Sequence, residues 1–447
     1  MRRSMIVGVL VVLAVVGPRC LAQAPTAPTA PAPAATGPGG ATGSTGSTGA
    51  GTPAAQTREA RWREDLAYLA AELPKRHKNA FFKCGKEDFL AAAAKLNEEI
   101  PALTDTQIVV GMMKLVAMLG DAHTTISPAA MQPPARYFPL SLYWFKDGIY
   151  IVGARESQKD LIGNKLVRFG ETPAEEACTR VGSAFAFEND ATFRNLSLRY
   201  LVTGEIAAAC GLIPSAEQAS IVVSDAEGRE RTVELTPMVQ GERMVLNETD
   251  NAKLPVWRQK RATANWYEYS PGSKELFFYY GRCADEEKQK VIPLVNEMLE
   301  FIDANPVDRV IVDLRTNGGG NSALLYGFIQ GLKSRPAFNQ PGRVIVLIGR
   351  FTFSSAQLNA WNLKNAVGAV LIGEPTGQKP NAYGEVKKLQ LPNSKLVVNY
   401  STKFFRTEEG DRPSMEPDIR VDLSSAEFFA NKDPVLDAAR AYTPVPR

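Results

Sequence analysis

The stretch Val310-Ile-Val-Asp-Leu-Arg-Thr-Asn-Gly-Gly-Gly320 indicates the fold class. Its apolar, β-branched start is typical of a strand that is buried on both faces, and its glycines permit a tight turn. Two further apolar runs follow, Val344-Ile-Val-Leu-Ile348 and Val370-Leu-Ile372. Because helical segments alternate with these runs, the sequence predicts an α/β core with parallel strands.

Residues that can carry out chemistry follow each apolar run. Gly318 and Gly319 come after the first run, Ser354 and Ser355 after the second, and Lys379 after the third. Parallel strands end at one edge of a sheet, so we expect these groups to lie together. A hydroxyl beside a base and opposite free N–H groups suits nucleophilic acyl transfer, with Gly318, Gly319 and Ser355 as the candidate oxyanion hole. Alternatively, one of the serines only caps the following helix.

From about Trp266 onward, the chain resembles the catalytic domain of the C-terminal processing (tail-specific) serine proteases and their relative, the tricorn core protease. Short matches in the same order carry the resemblance. They are Asp313-Leu-Arg-Thr-Asn-Gly-Gly-Gly320, Thr352-Phe-Ser-Ser-Ala-Gln357, Gly373-Glu-Pro-Thr-Gly-Gln-Lys379 and Glu416-Pro-Asp-Ile419. Farther upstream, Gly120-Asp-Ala-His-Thr124 matches the family's signature at the end of its N-terminal helices. The resemblance implies a crotonase-like spiral of ββα units and a serine peptidase that needs no cofactor.

The same resemblance assigns roles to individual residues. It implies that Ser354 is the nucleophile and that Lys379 is its general base. In the tricorn-like branch a histidine and a glutamate serve the serine instead, and here they would be His123 and Glu416. Tyr383 stands where the processing proteases usually have a glutamine that orients the lysine. The sequence therefore leaves two bases open.

Each of these residues also has an ordinary structural interpretation. Lys379 can be a surface-loop lysine, because most lysines are exposed. His123 can be a core histidine that attaches the N-terminal helices to the catalytic domain, and Glu416 can be a solvated carboxylate at a strand edge. His77 lies among basic residues, and we predict that it is on an exposed turn.

The N-terminal residues have the features of an export signal. Residues 1–24 combine Arg2-Arg3, the apolar stretch Met5–Val16 and the small-residue pattern Ala22-Gln-Ala24, and they predict a cleaved signal peptide. The apolar stretch is short for a bilayer span, although an uncleaved anchor is the alternative. We therefore expect a periplasmic or extracellular protein without stable membrane insertion. Residues 25–56 are mostly Pro, Ala, Thr, Gly and Ser and predict a disordered linker.

The rest of the chain divides into three predicted regions. Helical spacing of apolar residues predicts an N-terminal helical bundle over 57–130, with Thr104 and Gln107 as a capping box. Residues 135–245 are predicted to be rich in β-strands. The segment 161–170 is similar to part of a PDZ module, although a β insertion without a PDZ fold is equally compatible. Residues 262–442 form the predicted protease catalytic domain.

Charge and cysteine content exclude several classes of partner. The chain of 447 residues has 51 Lys and Arg against 48 Asp and Glu, and it contains no basic run, so nucleic acid is not an expected partner. Four cysteines remain after the predicted signal peptide, namely Cys84, Cys178, Cys210 and Cys283. Their spacing predicts no metal site, although an oxidising compartment would permit disulfides.

Taken together, the sequence predicts an exported serine endopeptidase that acts on protein or peptide chains. The alternative is a non-catalytic binding protein for an apolar ligand or peptide on the same fold. Nucleotide binding at the glycines is not expected, because the spaced glycines of a dinucleotide motif and the Gly-Lys-Ser/Thr of a phosphate loop are missing. The oligomeric state is not indicated by the sequence.

Overall fold

The computed structural model describes residues 56–239, 241–248, 250–260 and 262–443. The predicted signal peptide and almost all of the predicted linker lie outside these residues. None of the helices in the described ranges is both long enough and apolar enough to cross a membrane.

The described chain contains helices in each of the three predicted regions. They are α1 (Arg58–Arg76), α2 (Lys86–Glu99), α3 (Asp105–Ala117), α4 (Ala174–Val181), α5 (Asp190–Leu201), α6 (Gly204–Ala209), α7 (Val256–Gln259), α8 (Val291–Ala304), α9 (Tyr326–Lys333), α10 (Ser355–Val367), α11 (Ser425–Phe429) and α12 (Pro434–Ala441). The first three are the helices expected from apolar spacing. The capping box of Thr104 and Gln107 at the start of α3 is confirmed.

The strands form three sheets. In chain order they are β1 (Thr125–Ile126), β2 (Leu140–Phe145), β3 (Gly148–Arg155), β4 (Lys165–Phe169), β5 (Thr172–Pro173), β6 (Ala219–Ser224), β7 (Glu230–Leu235), β8 (Met244–Leu246), β9 (Asn265–Ser270), β10 (Glu275–Tyr280), β11 (Arg309–Asp313), β12 (Val344–Ile348), β13 (Val370–Gly373), β14 (Ala382–Gln390), β15 (Val397–Phe405) and β16 (Ile419–Arg420). One sheet has the order β16-β13-β12-β11-β10-β9 and another the order β1-β15-β14. The third has the order β2-β3-β4-β6-β7, with β5 against β4 and β8 against β3.

The six-stranded sheet is the α/β core that the sequence predicts. Strands β10 to β13 are parallel to one another, as expected, whereas β9 pairs antiparallel at one edge. Helices α8, α9 and α10 bury their apolar faces against one side of the sheet, and α12 packs against the other side. The three loops that follow β11, β12 and β13 therefore leave the same edge of the sheet.

A second hydrophobic core joins the N-terminal helices to the middle region. Leu69 of α1 and Phe89 of α2 belong to the same continuous cluster as Leu166 of β4 and Ile221 of β6. Val398 of β15 is also part of it. Residues 57–130 and 135–245 are thus packed on one core that the β14–β15 hairpin reaches from the catalytic region.

Buried ion pairs hold the glycine-containing turn after β11. Arg315 lies 2.7 Å from Asp313 and 2.7 Å from Asp433, the residue that caps α12. Burial opposes the charge of Arg315, but the two carboxylates raise its pKa well above the usual range. This network ties the end of β11 to the last helix and so fixes the direction in which the glycines leave the sheet.

The four cysteines of the described chain are free thiols. Cys178 and Cys283 are buried, and burial raises the pKa of each to about 12. Their thiol groups are therefore protonated near neutral pH.

Candidate active site

Ser354 lies between β12 and α10 in a backbone conformation that is rare for a residue with a side chain. Its φ is 54° and its ψ is −124°, and its N–H donates to Gln378 Oε1 at 2.7 Å. Although Ser354 occupies the N-cap position of α10, its side chain makes no capping hydrogen bond. Strain of this kind costs about 1–3 kcal/mol and is concentrated at functional sites. The capping role considered for Ser354 is therefore not observed.

The glycine turn after β11 lies directly against Ser354. Gly319 has a φ of 102°, and a Cβ atom on it would lie 2.8 Å from Ser354 Cβ. The N–H of Gly319 donates to Asn317 Oδ1 at 2.9 Å, so this predicted oxyanion donor is already occupied within the turn. In the described chain, the N–H groups of Gly318 and Ser355 have no acceptor. These two groups remain for a substrate oxygen.

Substitution of Gly319 by alanine should displace the serine. The new Cβ would also lie 2.9 Å from Phe353 O, and the backbone conformation is strained for any residue except glycine. We expect kcat to fall about 100-fold, because a displacement of about 1 Å has that effect on a reacting group. Peptide hydrolysis measures the loss, and Gly327→Ala, where a Cβ would meet nothing within 4 Å, is the control. If Gly319→Ala and Gly327→Ala were equally active, the close packing of Gly319 against Ser354 would be contradicted.

Ser355 differs from Ser354 in its side-chain contact. Its hydroxyl donates to the carbonyl oxygen of Gly320 at 2.6 Å, and Ser355 is itself buried. This bond connects α10 to the glycine turn. Of the two adjacent serines, Ser355 thus has a structural hydrogen bond through its hydroxyl.

His123 lies on the turn that follows α3 and contacts the residue before Ser354. Its ring centroid is 4.6 Å from that of Phe353, the residue before Ser354. The His123 side chain is 10% exposed, and its Nδ1 is buried without a hydrogen-bond partner, 3.9 Å from Asp121 Oδ1. Burial lowers the pKa of His123, while Asp121 and the carbonyl of Tyr383 oppose that shift. The imidazole is therefore neutral near pH 7.

Asp121 is a fully buried carboxylate beneath His123. Its Oδ2 accepts a hydrogen bond from Thr124 and lies 3.0 Å from His77 Nε2, and its Oδ1 accepts the N–H of His123. Burial alone would raise the pKa of Asp121, but the contacts with His77, His123 and Thr124 lower it to about 2. Asp121 is thus ionised and fixes the turn that carries His123.

The prediction that His77 lies on an exposed turn is wrong. Its side chain is fully buried between Asp121 and the ring of Tyr383, whose centroid is 5.3 Å away. The basic residues before it, Lys75 and Arg76, do point to solvent, where both pair with Glu72. The chain turns inward directly after them because Asp121 provides a partner that is remote in sequence.

Glu188 is a site residue that the sequence did not indicate. It precedes α5, and its carboxylate accepts the N–H of Lys379 at 3.0 Å and that of Ala122 at 3.4 Å. Burial and the neighbouring Asp121 raise the pKa of Glu188 to about 8. Glu188 thereby joins the loop after β13 to the turn that carries His123.

The raised pKa of Glu188 predicts a change in stability with pH. Between its ordinary pKa of 4.5 and about 8, the folded state keeps a proton that the unfolded state releases. Stability from this group therefore falls as pH rises through that window. The Glu188→Gln variant lacks this titrating group. Between pH 5 and pH 8, its free energy of unfolding should therefore decrease by about 2–4 kcal/mol less than that of the wild type.

Urea unfolding at the two pH values measures this difference. Glu171→Gln is the control, because Glu171 is exposed. If Glu188→Gln and Glu171→Gln show the same dependence on pH as wild type, the assignment of a raised pKa to Glu188 is wrong.

Lys379 reaches the site through its backbone, whereas its ammonium group is held elsewhere. Lys379 Nζ lies 2.8 Å and 2.9 Å from the two carboxylate oxygens of Asp411. The Lys379 side chain is 30% exposed and that of Asp411 is 70% exposed. In the described chain no hydrogen bond joins Lys379 Nζ to Ser354 Oγ. The amine is thus paired with Asp411 and not with its predicted partner.

Glu416, the other predicted support, is an exposed residue. Within the described residues, no hydrogen bond or ion pair connects it with His123. Its charge acts instead on Arg412 and Arg420, whose pKa values are raised mainly by their hydrogen bonds to Glu408 and Asp422. The carboxylates nearest to His123 are therefore Asp121 and Glu188 rather than Glu416.

Comparisons with known proteins identify the fold. No protein-family model matches the chain, and a search of curated proteins found no match by sequence. Mature CPAF complexed with lactacystin matches with a TM-score of 0.62 and 13% identity over 86% of this chain and 98% of that one. Mature CPAF without that compound gives 0.59 and 14%, covering 86% and 96%. The photosystem II D1 C-terminal processing protease gives only 0.40 and 14%, covering 82% and 94%.

These similarities define the class of fold. The chain has the fold of mature CPAF. Among the solved structures, mature CPAF shares this fold over nearly the whole of its own length.

Proposed function

We propose that this protein is a serine endopeptidase that cleaves protein or peptide chains through an acyl-enzyme on Ser354. The observation that carries the proposal is the placement of Ser354. Its strained backbone leaves the Ser354 hydroxyl without a capping hydrogen bond. Ser354 packs against the turn of Gly319, and the preceding residue, Phe353, contacts His123.

The mechanism assigns one task to each group. Ser354 Oγ attacks the carbonyl carbon of the scissile peptide while His123 accepts the hydroxyl proton. The N–H groups of Gly318 and Ser355 donate to the oxyanion, and each such donor contributes about 3–4 kcal/mol. When the tetrahedral intermediate collapses, His123 returns the proton to the leaving amine. Water then attacks the acyl ester by the same route and releases Ser354.

Two observations favour His123 over Lys379 as the base. Burial keeps its imidazole neutral, and a neutral imidazole has a lone pair that accepts a proton near pH 7. Lys379, the base first implied by the resemblance, is paired with Asp411, and an ammonium ion has no free lone pair. In this proposal Lys379 positions Glu188 through its N–H, and Glu416 takes no part in the chemistry.

The proposal includes export of the protein. It is supported by Arg2-Arg3, the apolar stretch that follows and the pattern Ala22-Gln-Ala24. The same compartment would bring the enzyme into contact with protein or peptide substrates outside the cytoplasm.

Digestion of an unbiased peptide library tests the proposed activity. The wild-type protein should produce new peptide termini, and cleavage should decline in acid, at a pH below the ordinary histidine pKa of 6.5, as His123 takes up a proton. The acid decline follows from the need for a neutral base. If the library stays intact while an apolar ligand or peptide remains bound, the chain is a binding protein instead.

A further inference from the structure

The turn that carries His123, together with Glu188, offers a group of donor atoms of which the proposed mechanism uses only the imidazole. Asp121, His123 and Glu188 each offer one nitrogen or oxygen, and these atoms lie within 4.8 Å of one another. The residues come from two remote parts of the chain, the end of α3 and the start of α5. Their convergence is therefore produced by the fold and not by a local sequence motif.

An orphaned nitrogen points to a ligand at this position. His123 Nδ1 is buried and has no hydrogen-bond partner, although its side chain is only 10% exposed. A buried polar atom without a partner costs about 1–3 kcal/mol, so such atoms are rare unless something else fills the place. Asp121 Oδ1 is 3.9 Å away, which is too far for a hydrogen bond.

The separation of these two atoms suits a metal ion. Zinc binds a histidine nitrogen at about 2.0–2.1 Å and a carboxylate oxygen at about 2.0–2.2 Å. An ion between His123 Nδ1 and Asp121 Oδ1, which are 3.9 Å apart, would satisfy both distances. Asp121 Oδ1 accepts one hydrogen bond, from the N–H of His123, and a carboxylate oxygen can accept a second interaction.

Glu188 completes the set and explains why a cation is favoured. Its carboxyl group lies within 4.8 Å of the donor atoms of Asp121 and His123, and the Lys379 ammonium is bound to Asp411. The other carboxylate oxygen of Asp121, Oδ2, lies 3.0 Å from His77 Nε2. Two carboxyl groups therefore lie beside the unpartnered nitrogen of His123.

We propose that Asp121, His123 and Glu188 form a binding site for one zinc-like divalent cation. Imidazole together with carboxylates suits zinc better than calcium or magnesium, which prefer all-oxygen sites. Three protein ligands leave a fourth position open. Binding of zinc itself does not require the peptidase proposal to be correct.

A consequence for activity does depend on the proposed function. A metal at Nδ1 would hold the ring of His123 and place positive charge beside the base, which weakens its ability to take a proton from Ser354. Zinc should therefore inhibit hydrolysis by the wild-type enzyme, and removal of zinc by a chelator should restore it.

Zinc titration of the full chain with Ser354→Ala tests the site without any need for activity. Calorimetry should give one ion per chain. In the Ser354→Ala background, Glu188→Gln should weaken zinc binding at least about tenfold. His123→Asn, introduced separately in the same background, should weaken it more. Asp411→Asn is the matched control, because it removes a carboxylate from the neighbouring loop without touching the donor set. Unchanged binding in both donor variants would overturn the proposal.

A second measurement leaves Asp121, His123 and Glu188 unchanged, so its result cannot be caused by misfolding of a variant. With cobalt in place of zinc, the spectrum should show nitrogen and oxygen ligation without a thiolate charge-transfer band. A thiolate band would place the ion on a cysteine and would also overturn the proposal. If zinc binds as expected but leaves hydrolysis unaffected, the site stands and the role of His123 as base fails.

Discussion

Replacement of Ser354 by alanine should abolish peptide hydrolysis, with a loss on the order of 10⁵-fold or more in kcat. The acyl-enzyme cannot form without this hydroxyl, and the neighbouring Ser355 cannot substitute, because its hydroxyl is bonded to Gly320 O at 2.6 Å. Steady-state hydrolysis of a peptide identified from the library digest measures the loss.

Ser355→Ala is the matched control for that variant. It keeps the backbone N–H of residue 355, so the oxyanion hole remains, and we expect activity within about tenfold of wild type. Loss of the hydrogen bond to Gly320 should lower the free energy of unfolding by about 1 kcal/mol. An inactive Ser355→Ala variant beside an active Ser354→Ala variant would exchange the roles of the two serines.

Replacement of His123 by alanine should lower kcat by about 10⁴-fold or more, because the nucleophile then has no base. Lys379→Ala should stay within about tenfold of wild type. It breaks an ion pair with Asp411 that is largely open to solvent, and it keeps the N–H that binds Glu188. Hydrolysis rates of the two variants, measured together over a range of pH, separate the two bases.

Two controls protect this comparison. Asp411→Asn removes the partner of Lys379 and should resemble Lys379→Ala if that ion pair has no role in the chemistry. Urea unfolding shows whether His123→Ala keeps its fold, since His123 contacts Phe353. An inactive Lys379→Ala variant beside a folded, active His123→Ala variant would restore the serine–lysine pair and refute the histidine.

Local patterns predicted the parallel strands and the arrangement of their loops. The apolar runs at 310–314, 344–348 and 370–372 became neighbouring strands. Such features depend on side-chain type and on turn residues within a few positions, which a single sequence displays directly.

Side-chain partners that are distant in sequence were not predictable in this way. Glu188 has no local motif, and it matters only because the fold places it between Ala122 and Lys379. The direction of the Lys379 side chain is decided by Asp411, which lies 32 residues further along the chain. Burial of His77 is likewise decided by Asp121. Each case needs the tertiary structure, because no spacing rule connects the partners.

The most direct test of the central claim is to label the wild-type protein with a fluorophosphonate and locate the adduct by mass spectrometry. We expect a single adduct on Ser354, formed more slowly as the pH falls and His123 takes up a proton. An adduct on Ser355 or on another residue, or no labelling of the folded protein at all, would contradict the account.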